Sequence, residues 1–189
     1  MYNLKAKMFN RKAAGPKSKP DKVIRSLSLK EGQHVADIGV GGGYFSFRFA
    51  ELVGESGKVY GIDTDRKFLE FLETNAKKQG YSNIVTVLAE GKGFPLSSNK
   101  LDLVFLRNVC HHIPDRVNYF REIATCLKPD GRVAIIDYSG KGSWSFHRMF
   151  GHYVDKGTIS LEMIEAGYQL SEEYDFLPEQ SFQVFRLNK

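Results

Sequence analysis

Asp37-Ile38-Gly39-Val40-Gly41-Gly42-Gly43, DIGVGGG at residues 37–43, follows an apolar-leaning run over 33–38 and precedes a helix-like stretch over 45–53. This order predicts a strand, a glycine turn and a helix in immediate succession. Glycines at the alternate positions Gly39, Gly41 and Gly43 let backbone approach a ligand more closely than any side chain would permit. The helix that follows aims its N-terminal N–H groups at the same spot. A nucleotide-like cofactor is the expected occupant.

Outward from the turn, periodicity alternates between strand-like and helix-like segments, the mark of an alternating β/α fold. Strands are predicted at 33–38, 58–62, 83–88, 101–106 and 132–138. Helices are predicted at 20–29, 45–53, 65–79, 115–127 and about 158–166, with stops at Gly54, Gly80 and Gly167. KPDG at 128–131 reads as a turn between helix and strand. Two closing strands follow at roughly 168–176 and 181–187, while residues 1–18 show no clear period. The expectation is a doubly wound, seven-stranded, mostly parallel sheet of Rossmann type in three αβα layers. In such sheets ligands bind beyond the carboxyl ends of the strands, so each loop can be sorted by the element it follows.

A chain of 189 residues with 42% hydrophobic content is one domain of ordinary size, 1–189, able to build its core without disulfides or metals. No apolar run approaches the roughly 20 residues of a bilayer span, and Cys110 and Cys126 cannot make a disulfide framework. No signal peptide opens the chain, so a cytoplasmic protein is expected. Charge is uneven: residues 1–30 carry a net +8 and the remainder −3. Residues 1–19 therefore read as a basic N-terminal arm or lid, able to steer an acidic substrate, RNA or an anionic surface.

A dinucleotide turn of the form G-x-G-x-x-G would place its third glycine at position 44, where this chain has Tyr44. DIGVGGGYF, together with Asp63 at the end of the second strand, resembles the class I S-adenosylmethionine-dependent methyltransferases. The resemblance covers about 31–138 well and 150–187 loosely, including LKPDG at 127–131 and AGYQL at 166–170. It implies S-adenosylmethionine as cofactor and S-adenosylhomocysteine as product. Cofactor contacts are then expected from Asp37, Gly39, Gly41 and Gly43 in the first loop. Asp63 and Thr64 would contribute from the second loop, Glu90 and Gly91 from the third, and Arg107 and Asn108 from the fourth. Asp63 would accept hydrogen bonds from both ribose hydroxyls, and its competing role is capping the 65–79 helix, a role open also to Asp65. Glu90 stands where relatives carry an Asp that contacts adenine. Asp37 orients either the glycine turn or the methionine ammonium group.

Methyl transfer from a sulfonium is an in-line displacement in which protein supplies position and electrostatics. A base is needed only where the nucleophile must lose a proton. His112, His111 and His147 are the candidates, since imidazole suits neutral pH and each falls in a loop at the carboxyl edge. If RNVCHH at 107–112 is extended, His111 and His112 cannot face one pocket; capping of the next helix is the competing role. His147 and His152 lack the spacing and companions of a zinc site, so no metal is expected. The motifs of amino-methylating nucleic-acid enzymes are missing, and Cys110 follows Val109 rather than a proline. A small-molecule acceptor is therefore expected; Trp144, Phe146, Phe150 and Tyr153 either join the basic arm as a lid over it or pack in the ordinary way against the sheet. RNA or protein held by the basic arm, and a non-catalytic cofactor-binding protein, are the alternatives.

Overall fold

The computed structural model describes residues 2–90, 93–96, 100–139 and 153–188. Its contacts divide into two compact units, Met1–Gly91 and Lys92–Lys189. In the first, α1 (Tyr2–Ala13), a 3₁₀ turn and α2 (Pro20–Leu27) lead into β1 (His34–Ile38), α3 (Tyr44–Val53), β2 (Lys58–Asp63), α4 (Arg66–Gln79) and β3 (Ile84–Leu88). The strands lie in the order β3-β2-β1, all parallel, with Asp37 opposite Gly61 and Asp63 opposite Leu88. That register sets the ends of β1 and β2 side by side.

Local chemistry fixes the helix ends. Gly43 enters α3 in the left-handed region at φ 83°. At the other end of α3, the buried Asn83 amide donates to the carbonyls of Ala50 at 2.9 Å and Gly54 at 2.8 Å, satisfying two oxygens that helix geometry leaves open. Asp65 caps α4 by accepting the Lys67 N–H at 3.0 Å, and Gly80 ends it at φ 79°.

The segment without a clear period, 1–18, holds a 12-residue helix. Ala6 of α1 is fully buried in a cluster with Val40 of the glycine turn and Phe68, Leu69 and Leu72 of α4. Phe9 sits with its ring centroid 5.6 Å from that of Phe68, and the Lys5 ammonium lies 5.7 Å and 5.5 Å from the two rings. Among the described residues of α1 only Ala6 is buried, and Phe9, though it touches Phe68, stays exposed. One buried position is too narrow to show as an apolar stripe, and α4 and the turn supply the rest of the packing.

The second unit contains β4 (Leu101–Arg107), a 3₁₀ turn at Cys110–His112, α5 (Arg116–Cys126), β5 (Leu127–Tyr138), α6 (Lys156–Glu165), β6 (Tyr168–Tyr174) and β7 (Gln180–Leu187). β4 and β5 are parallel, and β7 and β6 join in antiparallel sense in the order β4-β5-β7-β6. The core includes Phe105, Phe120, Tyr168, Phe182 and Phe185, all fully buried. The Tyr168 hydroxyl donates to the Phe120 carbonyl at 2.8 Å, so its polar end is satisfied inside that core. KPDG does not separate α5 from β5 as expected. Pairing begins at Leu127 opposite Leu101 and resumes at Arg132 opposite Leu103, so the four residues bulge out of a strand already begun. The architecture is α/β with seven strands in a mixed sheet, the class the sequence predicts.

Leu72 is fully buried beneath the glycine turn. Leu72→Ala should lower unfolding free energy by about 2–5 kcal/mol in urea denaturation. A loss under about 1 kcal/mol would show that the turn does not depend on this packing.

Candidate functional site

In the first unit, the turn after β1 is pressed from several sides by protein. A Cβ on Gly41 would lie 3.1 Å from Phe9 Cδ2, and one on Gly43 would lie 2.6 Å from Leu72 Cδ1. On Gly42, which the alternate-glycine reading passed over, a Cβ would come within 2.2 Å of Asn10 Oδ1 and 2.3 Å of the Ala6 carbonyl oxygen. The Asn10 amide donates to the Gly42 carbonyl at 2.8 Å, and its Oδ1 accepts the Tyr44 N–H at 3.1 Å. Part of the glycine content is therefore demanded by α1 and α4. No signal in the aperiodic 1–18 segment points to Asn10.

Asp63 sits half-buried at the end of β2 and faces this turn. Its Oδ2 accepts the Gly41 N–H at 3.2 Å and its Oδ1 accepts the Asp65 N–H at 3.0 Å. Asp65 takes the capping role, so the two alternatives for Asp63 separate. Burial holds the Asp63 carboxyl above its ordinary range, against the lowering effect of these backbone bonds. A carboxylate offers about four lone-pair sites, so Asp63 retains acceptor capacity for hydroxyl donors. Those features fit the ribose of the expected cofactor.

Asp37, buried at the end of β1, accepts the Ser46 hydroxyl of α3 at 2.5 Å and so ties strand to helix across the turn. Thr64 is exposed beside Asp63. Glu90, past β3, carries an exposed carboxylate 3.6 Å from the Arg66 guanidinium. Gly91 lies outside the described residues. A groove of about 290 Å³ between α3 and α4 is lined by Tyr44, Phe47, Arg48 and Phe71, but neither by Asp63 nor by Gly41.

In the second unit, Arg107 and Asn108 follow β4. The Arg107 guanidinium donates to Gln180 Oε1 at 3.1 Å, and the Gln180 amide donates to Asn108 Oδ1 at 2.6 Å. Asn108 itself has φ 56°, a left-handed conformation that Asn tolerates. The next residues are not extended, as the divergence argument assumed: Cys110–His112 form a 3₁₀ turn that brings the two imidazoles to 4.0 Å between centroids. His111 is 8% exposed, with Nδ1 3.4 Å from a carboxylate oxygen of the fully buried Asp137. Asp137 also accepts the N–H groups of Cys110 at 3.1 Å and Tyr138 at 2.8 Å. His112 is exposed. Asp115 caps α5 by accepting the Asn118 N–H at 3.3 Å, so this helix has its own cap.

Arg116 holds the His turn in place. It makes a two-pronged ion pair with Glu162 of α6, at 2.6 Å and 2.8 Å, and donates to the carbonyls of Cys110 and Ile113. His111, Arg116, Tyr153, Asp155 and Thr158 line a cavity of about 420 Å³. Burial pushes the Cys110 thiol well above its ordinary value, with Asp137 adding to the effect, so it stays protonated and is no nucleophile. Asp137 was missed in the sequence. Its signal was an acid ending the apolar run 133–136. His147, His152 and the aromatics Trp144, Phe146 and Phe150 lie outside the described residues.

The matching family model is described as a methyltransferase domain and spans residues 29–174. Curated relatives include a demethylmenaquinone methyltransferase of Bacillus velezensis, 26% identical over 133 residues, which cover 70% of this chain and 57% of the relative. Another, from Lactococcus lactis, is 30% identical over 118 residues, or 62% of this chain and 47% of the relative. The chain thus spans about half the length of these relatives. Among solved structures, a SAM-dependent methyltransferase from Aquifex aeolicus superposes with a TM-score of 0.83 at 23% identity, covering 96% of this chain and 98% of the other. The [4+2]-cyclase SpnF shares the fold at a TM-score of 0.72 and 18% identity, over 85% of this chain and 59% of its own. With the strand–glycine turn–helix and Asp63 in place, and with 29–174 matched, the chain belongs to the methyltransferase-domain family.

Proposed function

We propose that this chain is an S-adenosylmethionine-dependent methyltransferase acting on a small-molecule acceptor, with its donor site at the glycine turn and Asp63 of the first unit. The observation that carries the reading is the Asp63 carboxylate bound to the Gly41 N–H at the mouth of the glycine turn. Asp63 and the turn would hold the ribose and methionine parts of S-adenosylmethionine, which supplies an electrophilic methyl group when bound. Asp37, engaged by Ser46, keeps the turn and α3 in register. Glu90, Arg107 and Asn108 are assigned to the donor as well. For an acceptor that must lose a proton, His111 is favoured over His112, because its Nδ1 lies 3.4 Å from the Asp137 carboxylate and it lines a cavity. The demethylmenaquinone named for the relatives makes an aromatic or quinone-like acceptor the first class to assay.

A second reading, an RNA acceptor, draws on the exposed Lys7, Arg11 and Lys12 of α1. Transfer of a labelled methyl group into fractionated cell extract distinguishes the two. Label in the small-molecule fraction supports the proposal; label confined to RNA or protein contradicts it. S-adenosylhomocysteine should raise the melting temperature and NAD should not; the reverse result would overturn the donor reading.

Asp63→Ala should weaken S-adenosylhomocysteine binding about 10- to 100-fold by calorimetry. Unchanged affinity would remove Asp63 from the site. The raised carboxyl value also fixes two signs. Protonation favours the folded state, so the contribution of Asp63 to stability is complete below the ordinary carboxylate value and is lost as pH rises through the raised one. Ligand binding follows the opposite course, weakening as pH falls through the raised value, because hydroxyl donors need the anion. Asp63→Asn should abolish that pH dependence of affinity, and its persistence would assign the titration elsewhere.

His111→Ala should lower kcat by about 100-fold or more, the usual scale of acid–base assistance, with donor affinity unchanged. Asp137→Asn should lower kcat by about tenfold, because it acts through the imidazole. An equal loss in His112→Ala and none in His111→Ala would transfer the role to His112.

A further inference from the structure

Helix α1 meets the C-terminal end of the glycine turn through a side chain that bonds on either side of Gly43. Asn10 donates to the carbonyl of Gly42 and accepts the N–H of Tyr44, the first residue of α3. The contact is built from the turn side as well, since residue 42 has no room for a Cβ beside Asn10 and Ala6. Phe9 of the same helix lies against Gly41, whose N–H goes to Asp63. Three consecutive turn residues, 41, 42 and 43, are thus fixed by α1, Asp63 and Leu72 before any ligand arrives.

We infer that Asn10 is a positioning residue for methyl-donor binding, and that docking of α1 and occupancy of the donor site are thermodynamically coupled. This rests on the donor reading of the turn given above. A turn of glycines is the most mobile backbone a protein can offer, and ordering it at the moment of binding would cost affinity. Asn10 removes that cost in advance by closing the turn on both the donor and the acceptor side. Asn suits the position because its amide carries both a donor and an acceptor; Asp supplies only the acceptor and Leu neither. By linkage, whatever docked α1 contributes to donor affinity, the donor returns to the docking of α1. The basic residues Lys5, Lys7, Arg11 and Lys12 lie on this helix, so trypsin reports directly on its docking.

The test compares wild type, Asn10→Ala, Asn10→Asp, Gly42→Ala and Arg11→Ala. Each is titrated with S-adenosylhomocysteine by calorimetry and digested with trypsin with and without that ligand. Asn10→Ala should bind about tenfold more weakly. Gly42→Ala, whose added methyl displaces α1, should do the same. Asn10→Asp should fall between Asn10→Ala and wild type, and Arg11→Ala should match wild type. In wild type the ligand should slow cleavage within residues 5–12, and in Asn10→Ala it should not. Should Asn10→Ala fail to fold, Asn10→Asp carries the test. Affinity within twofold of wild type in the folded Asn10 variant, with ligand protection of α1 retained, would make Asn10 a structural cap only and overturn the inference. A wild-type protein that does not bind S-adenosylhomocysteine would instead overturn the donor reading beneath it.

Discussion

The turn between β1 and α3 passes α1 and α4 at distances that leave no room for a side chain at Gly42 and crowd one at Gly41 and Gly43. The Gly41 N–H to Asp63 carboxylate bond and the Asn10 bracket around Gly43 are the polar part of that constraint. The apolar part is Leu72, Phe68 and Ala6 packed with Val40. If either is lost, the N-terminal N–H groups of α3 no longer share a fixed geometry with Asp63. The register of β1 and β2 makes the meeting possible, since it sets Ile38 opposite Ile62 and brings the turn and Asp63 to the same edge.

Keeping a carboxylate half-buried at this edge has a cost. Burial raises its pKa even though backbone N–H groups stabilise the anion. A group that weakens the fold at neutral pH, and whose capacity for hydrogen bonds exceeds what its neighbours supply, has the character of a ligand-binding residue. Asp137 in the second unit is also buried, but its environment differs. It accepts two backbone N–H groups, one of them from Cys110, and so ties down the 3₁₀ turn, with His111 Nδ1 3.4 Å away. Arg116 reinforces the same turn from the other side through Glu162.

Much of this was legible in the chain. Strands with apolar runs and helices with period 3.6 stand where the pattern placed them, because each buries one face against a layer of the fold. The glycines, Asp37 and Asp63 were readable because loop chemistry at strand ends is local. The misses have a common physical cause: their signals are tertiary. α1 shows no stripe because Ala6 is the buried residue it contributes, while Phe9 touches Phe68 and stays exposed. Asn10 and Gly42 acquire meaning only once positions 32 apart in the chain are brought together. KPDG has the residues of a turn but bulges within a strand that has already begun at Leu127, because Leu101 pairs with it. The His pair was argued from extended geometry, whereas the segment closes into a 3₁₀ turn.

Sharing of this fold by methyltransferases and a [4+2]-cyclase means that architecture alone does not name the chemistry. In the function proposed, the glycine turn carries that weight as the donor site. Its most direct test is a titration of the isotope-labelled protein with S-adenosylhomocysteine, followed by backbone amide NMR. The account predicts the largest shifts at Gly39–Tyr44 and at Asp63 and Thr64, with no such response to NAD. Shifts confined to other residues, or the same response to NAD, would contradict it.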